Sequence, residues 1–300
     1  MLDTIYLLLF RIFGFLIKVL PNFVLSSFAK LLSKAAYGLD KKHVKIANAN
    51  LDFAFDNTLD RQRKKEIILL AYENLVKNLV GIVKNLEIQK AALLAKTEYE
   101  GLEIIQKLQS ANKNIIFVTA HYGNWEAMGK CVAAKTGLKL VAVGRELDVK
   151  SLNDALKRSR ERFDSELISK HGAMRKLVKA LKEQKAVGIL VDQNTADDEG
   201  LIVSFFGKEA RQTPVASVLA RRFEAAIIPV FCEYTGFDSY KITFHEPIYS
   251  PKTDDIEGDI LSCTQAQSDA IEKQIRKNPD VWFWFHKRWK NRYEGIYTAC

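Results

Sequence analysis

Hydrophobic and polar positions follow two different patterns along this 300-residue chain. In residues 23–95, apolar side chains recur every three or four positions with long polar side chains between them, which predicts helices throughout. Residues 61–85, RQRKKEIILLAYENLVKNLVGIVKN, are the clearest example. From residue 98 onward, short apolar runs alternate with amphipathic segments, which predicts strands alternating with helices.

The second part of the chain predicts an α/β fold with a mixed central sheet flanked by helices. Several strands are apolar along their whole length, as expected when helices cover both faces of a sheet. The predicted strands are 114–119, 139–144, 165–169, 186–191, 226–234 and 240–247. The predicted helices are 101–110, 124–136, 150–163, 172–184, 213–223 and 256–277. No repeat and no linker rich in Pro, Gly or Ser divides the chain, so 23–97 and 98–300 are predicted to form one compact unit.

The first 22 residues form a separate apolar segment. MLDTIYLLLFRIFGFLIKVLP supplies about twenty mostly apolar residues before Asn22, close to the length that spans a bilayer core. No small-residue cleavage site follows, so a removed signal peptide is not expected. Arg11 and Lys18 fall on one helical face, so residues 1–22 are predicted to anchor the chain by spanning the membrane or by lying in its interface. A buried helix of a soluble protein is the competing interpretation.

Charge strengthens the membrane interpretation. The chain has a formal net charge of +9 and a pI near 9.2, which favours acidic partners such as anionic lipid, phosphorylated substrates, an acidic carrier protein or nucleic acid. Residues 18–45 contain one acidic residue, Asp40, and a set of lysines typical of the cytoplasmic side of a membrane. These lysines are Lys18, Lys30, Lys34, Lys41, Lys42 and Lys45.

Several kinds of chemistry lack sequence support. The four cysteines lie far apart and form no CxxC pair, which indicates reduced thiols and neither a disulfide framework nor a zinc site. The chain has no GxSxG, GxxxxGK[ST], GxGxxG or HExxH motif. We therefore expect no metal and no cofactor.

The strongest candidate for chemistry is HYGNWE, residues 121–126, which follows a predicted strand. His121 would lie at the carboxyl end of that strand, where α/β folds place their sites, and Gly123 and Asn124 suit the turn and the helix cap. Glu126, in the first helical turn, could accept a hydrogen bond from one ring nitrogen of His121 and leave the other to accept a proton. A structural histidine beside an ordinary helix glutamate is the alternative.

HYGNWE resembles the HX4(D/E) motif of glycerolipid acyltransferases, and specifically that of the late acyltransferases of lipid A biosynthesis. Their larger family includes mycobacterial phosphatidylinositol mannoside acyltransferases. Further blocks carry the resemblance along the chain in the same order. They are VGREL (143–147), RSRER (158–162), VDQN (191–194), SFFGKEARQTP (204–214) and WFWFHKRWK (282–290).

The resemblance implies a glycerolipid-acyltransferase-like fold and a reaction. His121, oriented by Glu126, would deprotonate a hydroxyl of a lipid A precursor of the Kdo2-lipid IVA type. That oxygen would attack the thioester of an acyl carrier protein, or less favourably of coenzyme A, without a covalent acyl-enzyme. The implied partners are the carrier protein, the lipid A precursor and an anionic membrane surface, not nucleic acid. The implied location is the bacterial inner membrane, with the catalytic part facing the cytosol.

Further polar side chains near the predicted strand ends are candidates for substrate contacts. Arginine forks suit the phosphates and carboxylates of such a lipid, although Arg160 and Arg162, two residues apart on a helix, project in different directions. A solvated helix face and a plain turn are the competing interpretations. The candidates are Asn124, Arg145, Arg160, Arg162, Asp192 and Gln193.

The closing block WFWFHKRWK interleaves tryptophans with basic residues, a composition typical of a membrane–water interface and also of single-strand binding. Phe205 and Phe206 fit either the core or an acyl channel. Two other functions stay open on the residues alone. One is an acyltransferase for another glycolipid or phospholipid, and the other is a non-catalytic, membrane-anchored basic binding protein.

Overall fold

The computed structural model describes residues 14–144, 150–170 and 172–298. Residues 14–19 are helical and precede ten helices and nine strands. The helices are α1 Asn22–Leu39, α2 Lys41–Ala54, α3 Arg61–Lys84, α4 Lys90–Ala95, α5 Leu102–Ser110, α6 Trp125–Thr136, α7 Lys150–Arg160, α8 Ala173–Lys182, α9 Val215–Phe223 and α10 Ile256–Lys277. The strands are β1 Thr97–Glu100, β2 Ile115–Thr119, β3 Leu140–Gly144, β4 Ser165–Ser169, β5 Ala186–Leu190, β6 Leu201–Phe205, β7 Lys208–Gln212, β8 Ala226–Tyr234 and β9 Tyr240–Phe244. Two 3₁₀ turns, Pro279–Val281 and Glu294–Tyr297, lie near the end.

Seven strands form one mixed sheet in the order β1-β9-β8-β2-β5-β3-β4. Strands β8, β2, β5, β3 and β4 run parallel, whereas β9 is antiparallel to β8 and β1 is parallel to β9. β2 is buried at every position, because helices cover both faces of the sheet. The predicted mixed α/β sheet, its six strands and the helical residues before it are confirmed, with boundaries that differ by a few residues.

Three strands were not predicted. β1 is a four-residue edge strand, TEYE, without an apolar run. β6 and β7 form a separate antiparallel hairpin whose second strand, KEARQ, is mostly polar. Its two-residue turn places Phe206 and Gly207 at φ +56° and +70°, the left-handed region that a tight hairpin turn requires. β1 and β7 lack the apolar signal from which strands are predicted, whereas β6, LIVSF, is mostly apolar and was missed.

The prediction of a membrane helix over residues 1–22 rests mainly on residues 1–13, which lie outside the described residues. Across residues 14–144, 150–170 and 172–298, no helix combines the length and the apolar character needed to cross a bilayer. α1 packs on α3 through Leu25, Ala29 and Ser33. Its opposite face leaves large apolar side chains exposed, with Phe23 at 73% and Leu31 at 65%.

Candidate active site

The HYGNWE turn lies where β2 meets α6, and hydrogen bonds from the C-terminal segment and from α3 hold it. Gly123 has φ +55°, and a Cβ there would lie 1.9 Å from the carbonyl oxygen of Cys232, so only glycine fits. Its N–H donates to the Val281 carbonyl, while its own carbonyl accepts from the side-chain amides of Asn74 and Asn78 on α3, each at 2.9 Å. These bonds fix the backbone two residues after His121 and so set the position of that histidine.

His121 forms a hydrogen-bonded pair with Asp192. The Nδ1 atom of His121 lies 2.9 Å from Oδ1 of Asp192, and the backbone N–H of His121 donates to Oδ2 at 2.9 Å. β2 and β5 are parallel neighbours in which Thr119 is opposite Leu190, so the residues two positions further on, His121 and Asp192, leave the sheet side by side. Asp192 is 3% exposed and pairs with His121, and its predicted substrate contact stays a prediction.

Electrostatics makes His121 a stronger base. Burial lowers the pKa of His121, but the Asp192 carboxylate, with a smaller contribution from Glu126, outweighs burial and raises the pKa above 6.5. Burial raises the pKa of Asp192, but the charge and the hydrogen bonds of His121 outweigh it and lower the pKa to about 2. Ionised Asp192 accepts a hydrogen bond from Nδ1–H of His121, so Nε2 of the neutral ring carries no hydrogen and can accept a proton. This arrangement is that of a general base.

Glu126, predicted to orient His121, binds a different residue. Its carboxylate accepts two hydrogen bonds from Arg160, from Nε at 2.9 Å and from Nη2 at 2.6 Å. The side chain of Glu126 points from the first turn of α6 toward α7, whereas the His121 ring points toward the β5 loop. The prediction that Glu126 holds the histidine tautomer is therefore wrong in geometry, and Asp192 occupies that position.

The other predicted contacts divide into those at the site and those away from it. Gln193 is at the site, with Nε2 3.4 Å from Nε2 of His121. Asn124 is 1% exposed and caps α6 by accepting from the backbone N–H of Ala127, and its predicted substrate contact stays a prediction. Arg162 points away and donates to the carbonyl of Ile88. Arg145 lies outside the described residues.

The C-terminal block forms the wall behind the site. Trp282, Trp284 and Trp289 are 2%, 0% and 0% exposed, so the tryptophans whose composition suited a membrane–water interface or single-strand binding are core residues. Trp282 donates from Nε1 to Oδ2 of Asp192 at 2.8 Å, and the N–H of Phe283 donates to the His121 carbonyl at 2.9 Å. The segment thus contacts both residues of the histidine–aspartate pair.

A cavity of 1050 Å³ begins beside His121 and extends between α6 and the sheet. Strands present alternate residues to one face, and here those residues are mostly apolar or very small. The sheet wall includes Phe117, Thr119, Leu140, Ala142, Gly144, Leu167 and Gly188, and the helix wall includes Met128, Gly129, Lys130 and Val132. Glu126, Arg160 and Gln193 lie at the same cavity, so three of the predicted residues meet there with His121.

Two buried polar side chains of the cavity wall were missed by sequence reasoning. Thr119 is 1% exposed, and its Oγ1 has no hydrogen-bond partner among the described residues. Lys130 is 4% exposed and donates to Oγ of Ser159 at 3.0 Å, and burial lowers its pKa to about 8. Thr119 could have been found, because it precedes His121 by two positions and so shares its side of the strand.

Residues 1–291 match the family described as bacterial lipid A biosynthesis acyltransferase. The chain is 24% identical over 285 residues to the lipid A biosynthesis lauroyltransferase of Escherichia coli K12, covering 94% of this chain and 90% of that protein. It is 24% identical over 281 residues to the palmitoleoyltransferase of the same organism, covering 92% and 88%. It is 20% identical over 256 residues to a lipid A biosynthesis acyltransferase of Haemophilus influenzae, covering 85% and 78%.

Proposed function

The chain belongs to the bacterial lipid A biosynthesis acyltransferase family and is an acyltransferase, and we propose that it moves a fatty acyl chain from acyl carrier protein to a hydroxyl of a lipid A precursor of the Kdo2-lipid IVA type. The observation that carries the proposal is the His121–Asp192 pair at the mouth of a deep, largely apolar cavity. A general base for a hydroxyl and a space for an alkyl chain are the two components that acyl transfer to an alcohol needs.

The reaction begins when Nε2 of His121 takes the proton of the acceptor hydroxyl. The hydroxyl oxygen forms a bond to the thioester carbonyl carbon, and the tetrahedral intermediate then breaks its C–S bond. The imidazolium returns the proton to the departing thiolate, which leaves as a thiol. Asp192 holds Nδ1–H and stabilises the charged ring throughout, as the carboxylate of a serine-protease triad does for its histidine.

The tetrahedral intermediate carries a negative oxygen that needs donors. Thr119 is a candidate because its unpaired, buried hydroxyl lies on the cavity wall at the His121 end of β2. A buried hydroxyl without a partner is unfavourable unless a ligand or water pairs with it. Arg160 is a second candidate, since Glu126 holds its Nε and Nη2, and Nη1 has no hydrogen-bond partner among the described residues. Glu126 is then a positioning residue that orients Arg160.

The location proposed is the cytosolic face of the bacterial inner membrane. On α1 the exposed Phe23 and Leu31 stand beside exposed Lys30 and Lys34, a combination that suits anionic headgroups above acyl chains. α1 packs on α3, and α3 in turn holds the carbonyl of Gly123. Both α1 and α3 therefore lie between the apolar surface and the HYGNWE turn, a separation of about two helix diameters, roughly 20 Å.

The test uses the full chain in detergent or lipid, with acyl carrier protein thioesters as donors and Kdo2-lipid IVA as acceptor. Mass spectrometry of the lipid and release of free thiol measure transfer. His121→Gln should abolish both, whereas His43→Gln should not, because His43 is a partly exposed histidine on α2 bonded to Asp40. Transfer that survives in His121→Gln contradicts the mechanism. Transfer to other lipids but to no disaccharide acceptor contradicts the proposed substrate.

A further inference from the structure

Two glycines of the cavity wall occupy positions where glycine is unfavourable. Gly129 lies in the interior of α6 and Gly188 in the interior of β5, and both line the cavity. Glycine weakens helix and strand interiors because it loses more conformational freedom on folding than other residues. Neither glycine has a positive φ, so neither backbone conformation requires glycine.

Packing against the protein does not require these glycines either. A Cβ at Gly129 would lie 3.5 Å from Cδ2 of Leu140, and a Cβ at Gly188 would lie 3.6 Å from Cδ1 of the same leucine and 3.7 Å from Cβ of Ala142. These are ordinary van der Waals distances, in contrast to the 1.9 Å clash at Gly123. What the two glycines provide is the space that a methyl group would fill.

That space lies at a defined distance along the strands from His121, where the reaction is proposed to take place. Gly188 is opposite Phe117 of β2 and Ala142 of β3, and His121 lies four residues beyond Phe117. Four strand residues span about 13 Å. An extended alkyl chain advances roughly 1.3 Å per carbon, from C–C bonds of about 1.5 Å, so about ten carbons reach this level. Leu140 lies two residues deeper than Ala142 on the same face of β3 and contacts both glycine positions.

We infer that Gly129 and Gly188 are specificity-determining residues that keep the inner end of an acyl-chain channel open, with Leu140 as its end wall. The ligand they admit is an unbranched fatty acyl chain whose terminal carbons pass between α6 and β5. The inference rests on the proposed function, because it assigns the cavity to the transferred chain.

The experiment compares wild type, Gly129→Ala and Gly188→Ala on an even-numbered series of acyl carrier protein thioesters. One added methyl group shortens the channel by about one carbon–carbon bond, so the preferred donor should become shorter by roughly two carbons, the smallest step of the series. For the longest accepted donor kcat/KM should fall roughly tenfold or more, the usual cost of one surplus methylene in a closed pocket. For short donors it should change less than about twofold, by the same principle.

Gly38→Ala is the matched control for the helix position. Gly38 lies in α1, and a Cβ there would meet nothing within 4 Å. Both Gly129→Ala and Gly38→Ala should raise Tm, because alanine is the better helix former, but only Gly129→Ala should change donor preference. An unchanged profile in Gly129→Ala and Gly188→Ala overturns the inference, and so does an equal loss for all chain lengths.

A binding assay separates this inference from the proposed function. Free fatty acids of increasing length are added to His121→Ala, and the shift in Tm is measured with and without each glycine substitution. The channel is supported if the Tm shift increases with fatty-acid length and if this increase ends at a shorter length in the alanine variants. This result would support the channel even if no transfer is found. Shifts independent of length, or unaffected by the substitutions, overturn the inference while leaving measured transfer intact.

Discussion

Replacing Asp192 with asparagine changes the protonation state of His121 while keeping the side-chain shape. Three N–H groups point at the carboxylate: Nδ1 of His121 toward Oδ1, and the backbone N–H of His121 and Nε1 of Trp282 toward Oδ2. An asparagine has one oxygen and one NH2 group, so it can satisfy only one side of this arrangement as an acceptor.

The hydrogen-bonding groups around position 192 determine which way the asparagine amide is oriented. If its oxygen faces Nδ1, the NH2 group meets two buried N–H donors, each left without an acceptor at a cost of about 1–3 kcal/mol. If its oxygen faces those two donors, its NH2 group donates to Nδ1, and the ring proton moves to Nε2. The second orientation satisfies every group and is favoured by about 2–6 kcal/mol, the cost of the two unpaired donors. In this orientation Nε2 of His121 already carries the ring proton, so it cannot accept one from the substrate hydroxyl.

Asp192→Asn should therefore lower kcat by about 30-fold to 10⁴-fold, the range that this 2–6 kcal/mol preference gives. KM should change little, because Asp192 is buried. The acid limb of kcat/KM should move to lower pH, because the Asp192 charge is what raises the pKa of His121. The assay is initial-rate thiol release from acyl carrier protein thioesters across pH, with Tm measured in parallel.

Asp259→Asn is the control, since Asp259 is also a buried carboxylate that accepts three hydrogen bonds, one from Arg221 and two from Thr253. It should lower Tm and leave the pH profile unchanged. An Asp192→Asn enzyme with kcat within about threefold of wild type, a difference below 1 kcal/mol, would refute the assignment of Asp192. So would a raised KM together with an unmoved acid limb.

Three further outcomes follow from the same contacts. In wild type, kcat/KM should rise with pH to a plateau with an apparent pKa above 6.5, because His121 acts in its neutral form; an acid limb below that value contradicts the pairing. Thr119→Val should lower kcat roughly 10²-fold without lowering Tm if the unpaired hydroxyl binds the oxyanion, whereas unchanged kcat assigns it no such role. Trp282→Phe should move the acid limb to higher pH, because Asp192 loses a donor and becomes a better acceptor for His121, and it should lower kcat about tenfold because the Asp192 carboxylate loses a bond that orients it. Trp284→Phe, which loses only a bond to a backbone carbonyl, should lower stability alone, and identical profiles in the two tryptophan variants would contradict this prediction.

Sequence periodicity was sufficient for the main sheet because its strands are buried on both faces and therefore apolar throughout. β2 reads IIFVT and β5 reads AVGIL, and both were predicted within a residue or two. The HYGNWE turn could be placed as well, since a polar residue after a buried strand marks the carboxyl edge of the sheet. The polar strand β7 and the short edge strand β1 have no such signal, because their side chains need not be apolar.

The partner of His121 could not be predicted, because the order of strands in the sheet differs from their order in the chain. Reasoning along the chain selects Glu126, the nearest carboxylate, five residues away. The sheet places β5 beside β2 and β3 beyond it, so the carboxylate 71 residues away is adjacent to His121. Only the pairing of Thr119 with Leu190 reveals this, and pairing depends on tertiary packing rather than on local pattern.

The C-terminal block WFWFHKRWK shows why amino-acid composition alone could not place a segment that contacts the site. Tryptophans beside basic residues satisfy a membrane interface and a buried wall equally well, and the difference lies in what their polar atoms contact. Here Nε1 of Trp282 donates to Asp192, the N–H of Phe283 donates to the carbonyl of His121, and the carbonyl of Val281 accepts from Gly123. One short segment therefore holds the loops after both β2 and β5. Because these bonds join the two loops directly, a displacement of the segment would change the distance between Nδ1 of His121 and Oδ1 of Asp192, and with it the basicity on which the proposed reaction depends.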